Sequence, residues 1–277
     1  MSATAYRDIA IHVGMNAGGE LPAQLAYAAA LAAGCGAHLT GLFNRPPLPL
    51  VRHYMPPEVI ERHKAECETA AVKARLQLET AARTQGVGSD WCDMPGSALE
   101  MVLTQARASD LLLLSGVMAG QKAAREYDRE TLADEVVLAL GRPVLLLPGN
   151  PKPGLPAAVL IGWNGSREAS RAVHDAMPLL QQATRVTVLC VDPGRKQGLP
   201  GAELARHLAR QGVTADLLIR DGHDRDAGKM LQQSAWDTRA DMIVMGAYGH
   251  GRLRETVLGG ATAHMLARAD LPIFFSH

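Results

Sequence analysis

The residues best suited to chemistry lie near the C-terminus, in a run with the spacing Gly246-X2-Gly249-X9-Gly259, with further glycines at Gly251 and Gly260. Glycine accepts positive φ and lets an anion approach the backbone without a Cβ in the way. The amides of Gly259, Gly260, Ala261 and Thr262 fall where an apolar, helix-period stretch begins. Unpaired N–H groups and the dipole at a helix N-terminus favour phosphate. Arg252 and Arg254 can add charge-assisted bonds to phosphate oxygens. His250, inside the loop, reads either as a phosphate contact or as a surface histidine.

The run excludes two familiar motifs. No Gly-Lys-Ser/Thr follows, so it is not a Walker loop. The dinucleotide fingerprint follows the first strand of a unit, and this loop follows the fourth. No Ser-His-Asp or Cys-His arrangement is evident. The loop offers positioning but no base to activate water, so no catalytic residue is assigned and slow hydrolysis is the most the sequence allows.

Other chemistry-bearing residues carry weaker signals. Asp221, His223, Asp224 and Asp226 read as a solvated loop capping the next helix, with a metal site as the alternative. Trp163 reads as a core aromatic or as a stacking platform. His38, His53, His63 and His207 share no spacing. Cys35, Cys67, Cys92 and Cys190 lack Cys-x2-Cys spacing and read as small core hydrophobes, and no metal ligand is assigned.

The elements that must position the loop alternate between strand and helix. Strands are expected at 157–163, 186–191, 215–220, 241–245 and 272–275. Helices are expected at 166–180, with Ser166 as N-cap, and at 201–211, 228–239 and 262–269. Glu168 and Glu203 read as solvated charges. Strands without a polar face, separated by helices, predict a parallel sheet covered on both sides. Such sheets bind ligands beyond the carboxyl ends of their strands.

The chain also repeats itself. Asp110–Ser115 resembles Asp241–Gly246, Gly141–Leu147 resembles Asp270–Phe275, Leu39–Leu42 resembles Val186–Leu189, and Gly86-Val87 resembles Gly212-Val213. The offset falls by 21 between the second and third of the repeat's elements, placing extra residues of the first copy within 46–85, as a Pro-rich loop and a longer helix. Pro148–Pro156 reads as an extended linker. The expected domains are 1–150 and 155–277.

The 277 residues are 47% hydrophobic and 20% charged, with no net charge and a pI of about 7.2. That balance suits a globular core and gives no broad electrostatic footprint for nucleic acid or an anionic membrane. No apolar run approaches the length of a membrane span, and Met1 to Asp8 do not read as a signal peptide. A reduced, cytoplasmic setting is expected.

The closing block, Asp241 to Phe275, resembles the universal stress proteins: a strand, the Gly-X2-Gly-X9-Gly loop, a helix, and a strand opened by Asp270-Leu271-Pro272. The second copy carries the resemblance from about 157 to 276, and the first more weakly from about 7 to 148. It implies an α/β fold of two tandem Rossmann-like, adenine nucleotide α-hydrolase-like domains, each a mostly parallel five-stranded sheet flanked by helices. It further implies ATP or a related adenine nucleotide in the C-terminal domain, with Mg²⁺ alongside. Adenine would lie near Cys190 and Val191, and the phosphates near Gly246, Gly249, His250, Gly251, Arg252, Gly259, Gly260, Ala261 and Thr262. Asn164 stands where the family usually has a ribose-binding Asp, and Gly260 where it has Ser or Thr. In the first copy Glu130 aligns with Gly259 and the first strand ends His12-Val13-Gly14-Met15-Asn16 without that Asp, so no ATP is expected there. The implied role is a stress-response regulator or adaptor with a protein partner. The alternative is an interaction scaffold whose site has decayed in both copies. Family pairing implies an internal pseudo-dimer, with a homodimer as a further state.

Overall fold

The computed structural model of the chain describes residues 5–15, 18–48, 56–115, 126–191, 199–221, 227–248, 260–268 and 270–277. In the first half the order is β1 (Asp8–Val13), α1 (Leu21–Cys35), β2 (His38–Arg45), α2 (Pro57–Gln85), β3 (Ser89–Pro95), α3 (Ala98–Gln105), β4 (Leu111–Ser115), α4 (Glu126–Ala139) and β5 (Val144–Leu147). The second half contains β6 (Ala158–Gly162), α5 (Arg167–Asp175), α6 (Met177–Leu180), β7 (Arg185–Val191), α7 (Ala202–Arg210), β8 (Ala215–Arg220), α8 (Ala227–Asp237), β9 (Met242–Gly246), α9 (Ala261–Arg268) and β10 (Ile273–Ser276).

The continuous apolar strands are buried on both faces, as their lack of alternation requires. Leu111–Leu114, Val144–Leu147 and Ile273–Phe275 are all within 2% of full burial. Successive residues serve opposite layers. Leu145 and Phe274 pack in one core, and Leu146, Ile273 and Phe275 in the other.

Five parallel strands form each half, but the halves do not make separate sheets. The order β3-β2-β1-β4-β5-β10-β9-β6-β7-β8 is one continuous sheet. Its single antiparallel step among the described strands joins β5 to β10, with Leu145 opposite Phe274. These two residues are equivalent in the repeat, at an offset of 129, so an approximate twofold axis passes between them. Each terminal strand satisfies the other's open edge.

The repeat's matched residues do matched work. Asp110 Oδ2 accepts the backbone N–H groups of Arg7 (2.7 Å) and Asp8 (3.1 Å) at the start of β1. Asp241 accepts those of Ala157 and Ala158, each at 3.0 Å, at the start of β6. Gly86 and Gly212 both end a helix with positive φ, at 67° and 81°, a conformation glycine adopts without strain. The residues extra to the first half become α2, whose 29 residues pack along α1.

One reading of the sequence is corrected here. Glu168 is not a solvated charge but is 6% exposed. It lies in the first turn of α5, which rests on β9, so its side chain turns inward. Burial alone would raise its pKa, yet its own backbone N–H, Arg167 and Ser166 hold the carboxyl below its ordinary value. Glu203 is exposed, as read from the sequence.

Candidate functional site

The second half winds outward from β6 to β7 and β8, then crosses back to place β9 on the other side of β6. The direction in which strands are added therefore reverses between β6 and β9, which run parallel, and a crevice opens there beyond the strand ends. Both strands end there in glycine, Gly162 and Gly246. A Cβ on Gly246 would lie 2.4 Å from Ala169 N and 2.5 Å from the Glu168 carbonyl carbon. The missing side chain is what lets α5 bring its first turn onto the strand end.

The crevice is a cavity of about 550 Å³. Its walls come from β6 and the turn after it (Gly162, Trp163, Asn164), from α5 (Ser166, Ala169), from β7 (Leu189, Val191), from α8 (Ala227, Leu231), from β9 (Met245, Gly246) and from the start of α9 (Gly260, Ala261, Thr262). Among the described lining residues none is ionisable. The walls are apolar, and their polarity is concentrated at the N-terminal turns of α5 and α9. That combination suits a flat, apolar ring with an anionic tail.

Of the residues singled out in the sequence, Asn164, Val191, Gly246, Gly260, Ala261 and Thr262 meet around this cavity. Asn164 is exposed, and its Oδ1 accepts the Ser166 N–H at 2.9 Å, closing an Asx turn. Ser166 then caps α5 by accepting the Ala169 N–H at 3.1 Å. Thr262 is buried, and its Oγ1 accepts the Tyr248 N–H at 3.2 Å. Tyr248 itself donates its hydroxyl to Asp134 of α4, tying the start of the glycine run to the first half. Gly249, His250, Gly251, Arg252, Arg254 and Gly259 lie outside the described residues, as do His223, Asp224 and Asp226 of the polar cluster.

Cys190 does not face the cavity. Strand alternation turns it to the opposite layer, where its sulfur lies 3.2 Å from the position a Cβ on Gly201 would take. Leu189 and Val191 form the wall instead. Trp163 is half-buried, and it both lines the cavity and packs against the core. Sequence reasoning missed Leu189, Ala227 and Leu231. The first is legible from the period of two counted back from Val191, whereas the α8 residues depend on tertiary packing.

The first half is built differently at the equivalent place. Strand register aligns His12 with Gly162 and Asn44 with Val191. The imidazole Nε2 lies 3.0 Å from Asn44 Oδ1, and Asn44 is 7% exposed. α4 already runs through Glu130, the residue aligned with Gly259. Asn16 lies outside the described residues.

No protein-family model matches the chain. A curated universal stress protein of Synechocystis is 33% identical over 82 residues, 30% of this chain and 27% of that protein's length. The match therefore spans little more than a quarter of the curated relative. A solved universal stress protein of Archaeoglobus fulgidus superposes with a TM-score of 0.75 at 14% identity, over 96% of this chain and 95% of the other. A putative universal stress protein of Pseudomonas aeruginosa does so with a TM-score of 0.57 at 15% identity, over 98% and 93%. The architecture is thus a tandem α/β fold with its cleft at a topological switch point. The resemblance carried by the closing block holds: the chain has the fold of these universal stress proteins over 96% of its length. Among the described residues no helix is long and apolar enough to cross a membrane.

Proposed function

We propose that the chain is a cytoplasmic stress-response protein that binds ATP or a related adenine nucleotide, with Mg²⁺, in its second half, and signals that state to a protein partner. The reading rests above all on the cavity between β6 and β9, with its apolar walls and two helix starts. The adenine would lie against Leu189, Val191 and Trp163, the ribose near Asn164, and the phosphates at Gly260, Ala261 and Thr262, with the glycine run completing the cradle. The units 1–150 and 155–277 then divide the work. The second holds the nucleotide, and the first, with His12 and Asn44 in place of an open floor, serves as its permanent partner in the sheet. The lack of an ionisable residue on the described wall favours binding over catalysis.

A second reading, an interaction scaffold without nucleotide, draws on one observation. The side-chain oxygens of Asn164 and Thr262 already accept backbone N–H groups of the protein. Calorimetry with Mg²⁺-ATP, after carried-over nucleotide has been stripped, separates the two. One site per chain at micromolar strength supports nucleotide binding. No heat, and no nucleotide recovered on stripping, leaves the scaffold.

A further inference from the structure

We propose that Met15, His63 and Cys67, in the first half, form a binding site for a soft monovalent metal ion of the copper(I) class. His63 and Cys67 stand four residues apart on α2 and so share one face of the helix. Met15 lies in the turn just after β1. Cys67 Sγ is 3.6 Å from Met15 Sδ and 3.5 Å from His63 Nε2. Metal bonds of about 2.3 Å to sulfur and about 2.0 Å to nitrogen hold the donor atoms of a three- or four-coordinate centre about 3.5–4 Å apart. Both edges that meet at Cys67 Sγ fall in that interval.

The donor set selects the ion. Thiolate, thioether and imidazole are soft or borderline ligands suited to copper(I), and the absence of a carboxylate among the three disfavours hard cations. Charge points the same way. One thiolate neutralises a monovalent ion, leaving a neutral centre beside a buried sulfur that is 3% exposed. A divalent ion would leave a positive charge near the Arg45 guanidinium. That cation is itself engaged by Asp93 at 2.6 Å and Glu68 at 2.8 Å.

The exchange balances. Burial pushes the Cys67 thiol above its ordinary pKa, so the metal-free chain holds it protonated. Binding forms the sulfur–metal bond and releases that proton to water. His63 Nε2 lies 2.9 Å from the Pro46 carbonyl oxygen, to which it donates in the metal-free state. Ligation moves the ring proton to Nδ1 and turns the imidazole so that its Nε2 lone pair faces the ion, which frees that carbonyl.

The test is an anaerobic titration of the full-length, reduced chain with copper(I), in competition with a chromophoric copper(I) chelator. It is read by the thiolate-to-copper ultraviolet band and by X-ray absorption. One equivalent per chain is expected, with two sulfurs and one nitrogen around the ion. Met15→Leu and His63→Gln should each weaken binding by at least about tenfold, the scale of losing even an outer-shell partner of a metal ligand. Cys92→Ser should leave it unchanged, and Cys67→Ser should remove the band. Absence of binding overturns the proposal. So does unchanged affinity in Met15→Leu and His63→Gln chains that keep the wild-type circular dichroism, whatever Cys67→Ser does to folding.

Discussion

His12 Nε2 and Asn44 Oδ1 lie 3.0 Å apart at the two strand positions that are Gly162 and Val191 in the second half. A glycine and a valine leave a floor open, and an imidazole bonded to an amide fills it. The two copies of one fold thus differ at the strand ends where a ligand would enter, while each keeps the aspartate that holds its first strand.

Those aspartates should be interchangeable in effect. Asp110→Ala and Asp241→Ala each remove the acceptor of two largely exposed backbone N–H groups at a strand start, and each should cost about 0.5–1.5 kcal/mol. Sitting in different halves, the two losses should add to within about 0.5 kcal/mol. Chemical denaturation of the single and double variants measures this. A loss at one site only would show that the repeat's symmetry does not extend to its energetics.

Glu168 should make stability depend on pH. Its folded pKa lies below its unfolded one, so its contribution is present above the ordinary glutamate range and is lost as pH falls through the folded value. Glu168→Gln should therefore be destabilised at pH 7 by about 1–3 kcal/mol. The gap from wild type should close in acid, below the ordinary glutamate pKa. Melting curves of both chains from pH 7 to pH 3 test it, and a gap that stays constant would contradict the ionised, bonded state.

Gly246→Ala should be among the most damaging single-methyl additions. The new Cβ would meet backbone atoms at 2.4 and 2.5 Å, and backbone cannot swing aside as a side-chain end can. A loss of about 1–3 kcal/mol or more is expected, together with weaker ligand binding as the start of α5 moves. Gly162→Ala, whose Cβ would press on a side-chain end, the Leu231 Cδ2 at 2.8 Å, should be milder. Thermal denaturation ranks the two, and equal losses would refute the close approach of α5.

Much of this was legible in the residues. Alternating apolar strands and helices, the repeat, the long insertion and the Ser166 cap all follow from local pattern, because local hydrogen bonding and two-sided burial impose them. Cys190 was misplaced because reading Cys190 and Val191 together ignores that neighbours on a strand face opposite ways. Glu168 was misread as solvated because a carboxylate in a helix's first turn is ordinarily exposed, while its inward direction depends on β9 beneath it. The His12–Asn44 pair needs the register between two strands, and the single fused sheet needs the pairing of β5 with β10. Neither is a local property of the chain.

The most direct test transplants the first half's floor into the second. The double variant Gly162→His with Val191→Asn introduces the pair held between β1 and β2, at a position where Leu231 Cδ2 must move aside, and its circular dichroism is compared with that of the wild type before titration. Mg²⁺-ATP titrated into stripped wild-type chain should show one site at micromolar strength, and into the double variant no measurable binding. Equal binding by both chains, or none by the wild type, would contradict a nucleotide site between β6 and β9.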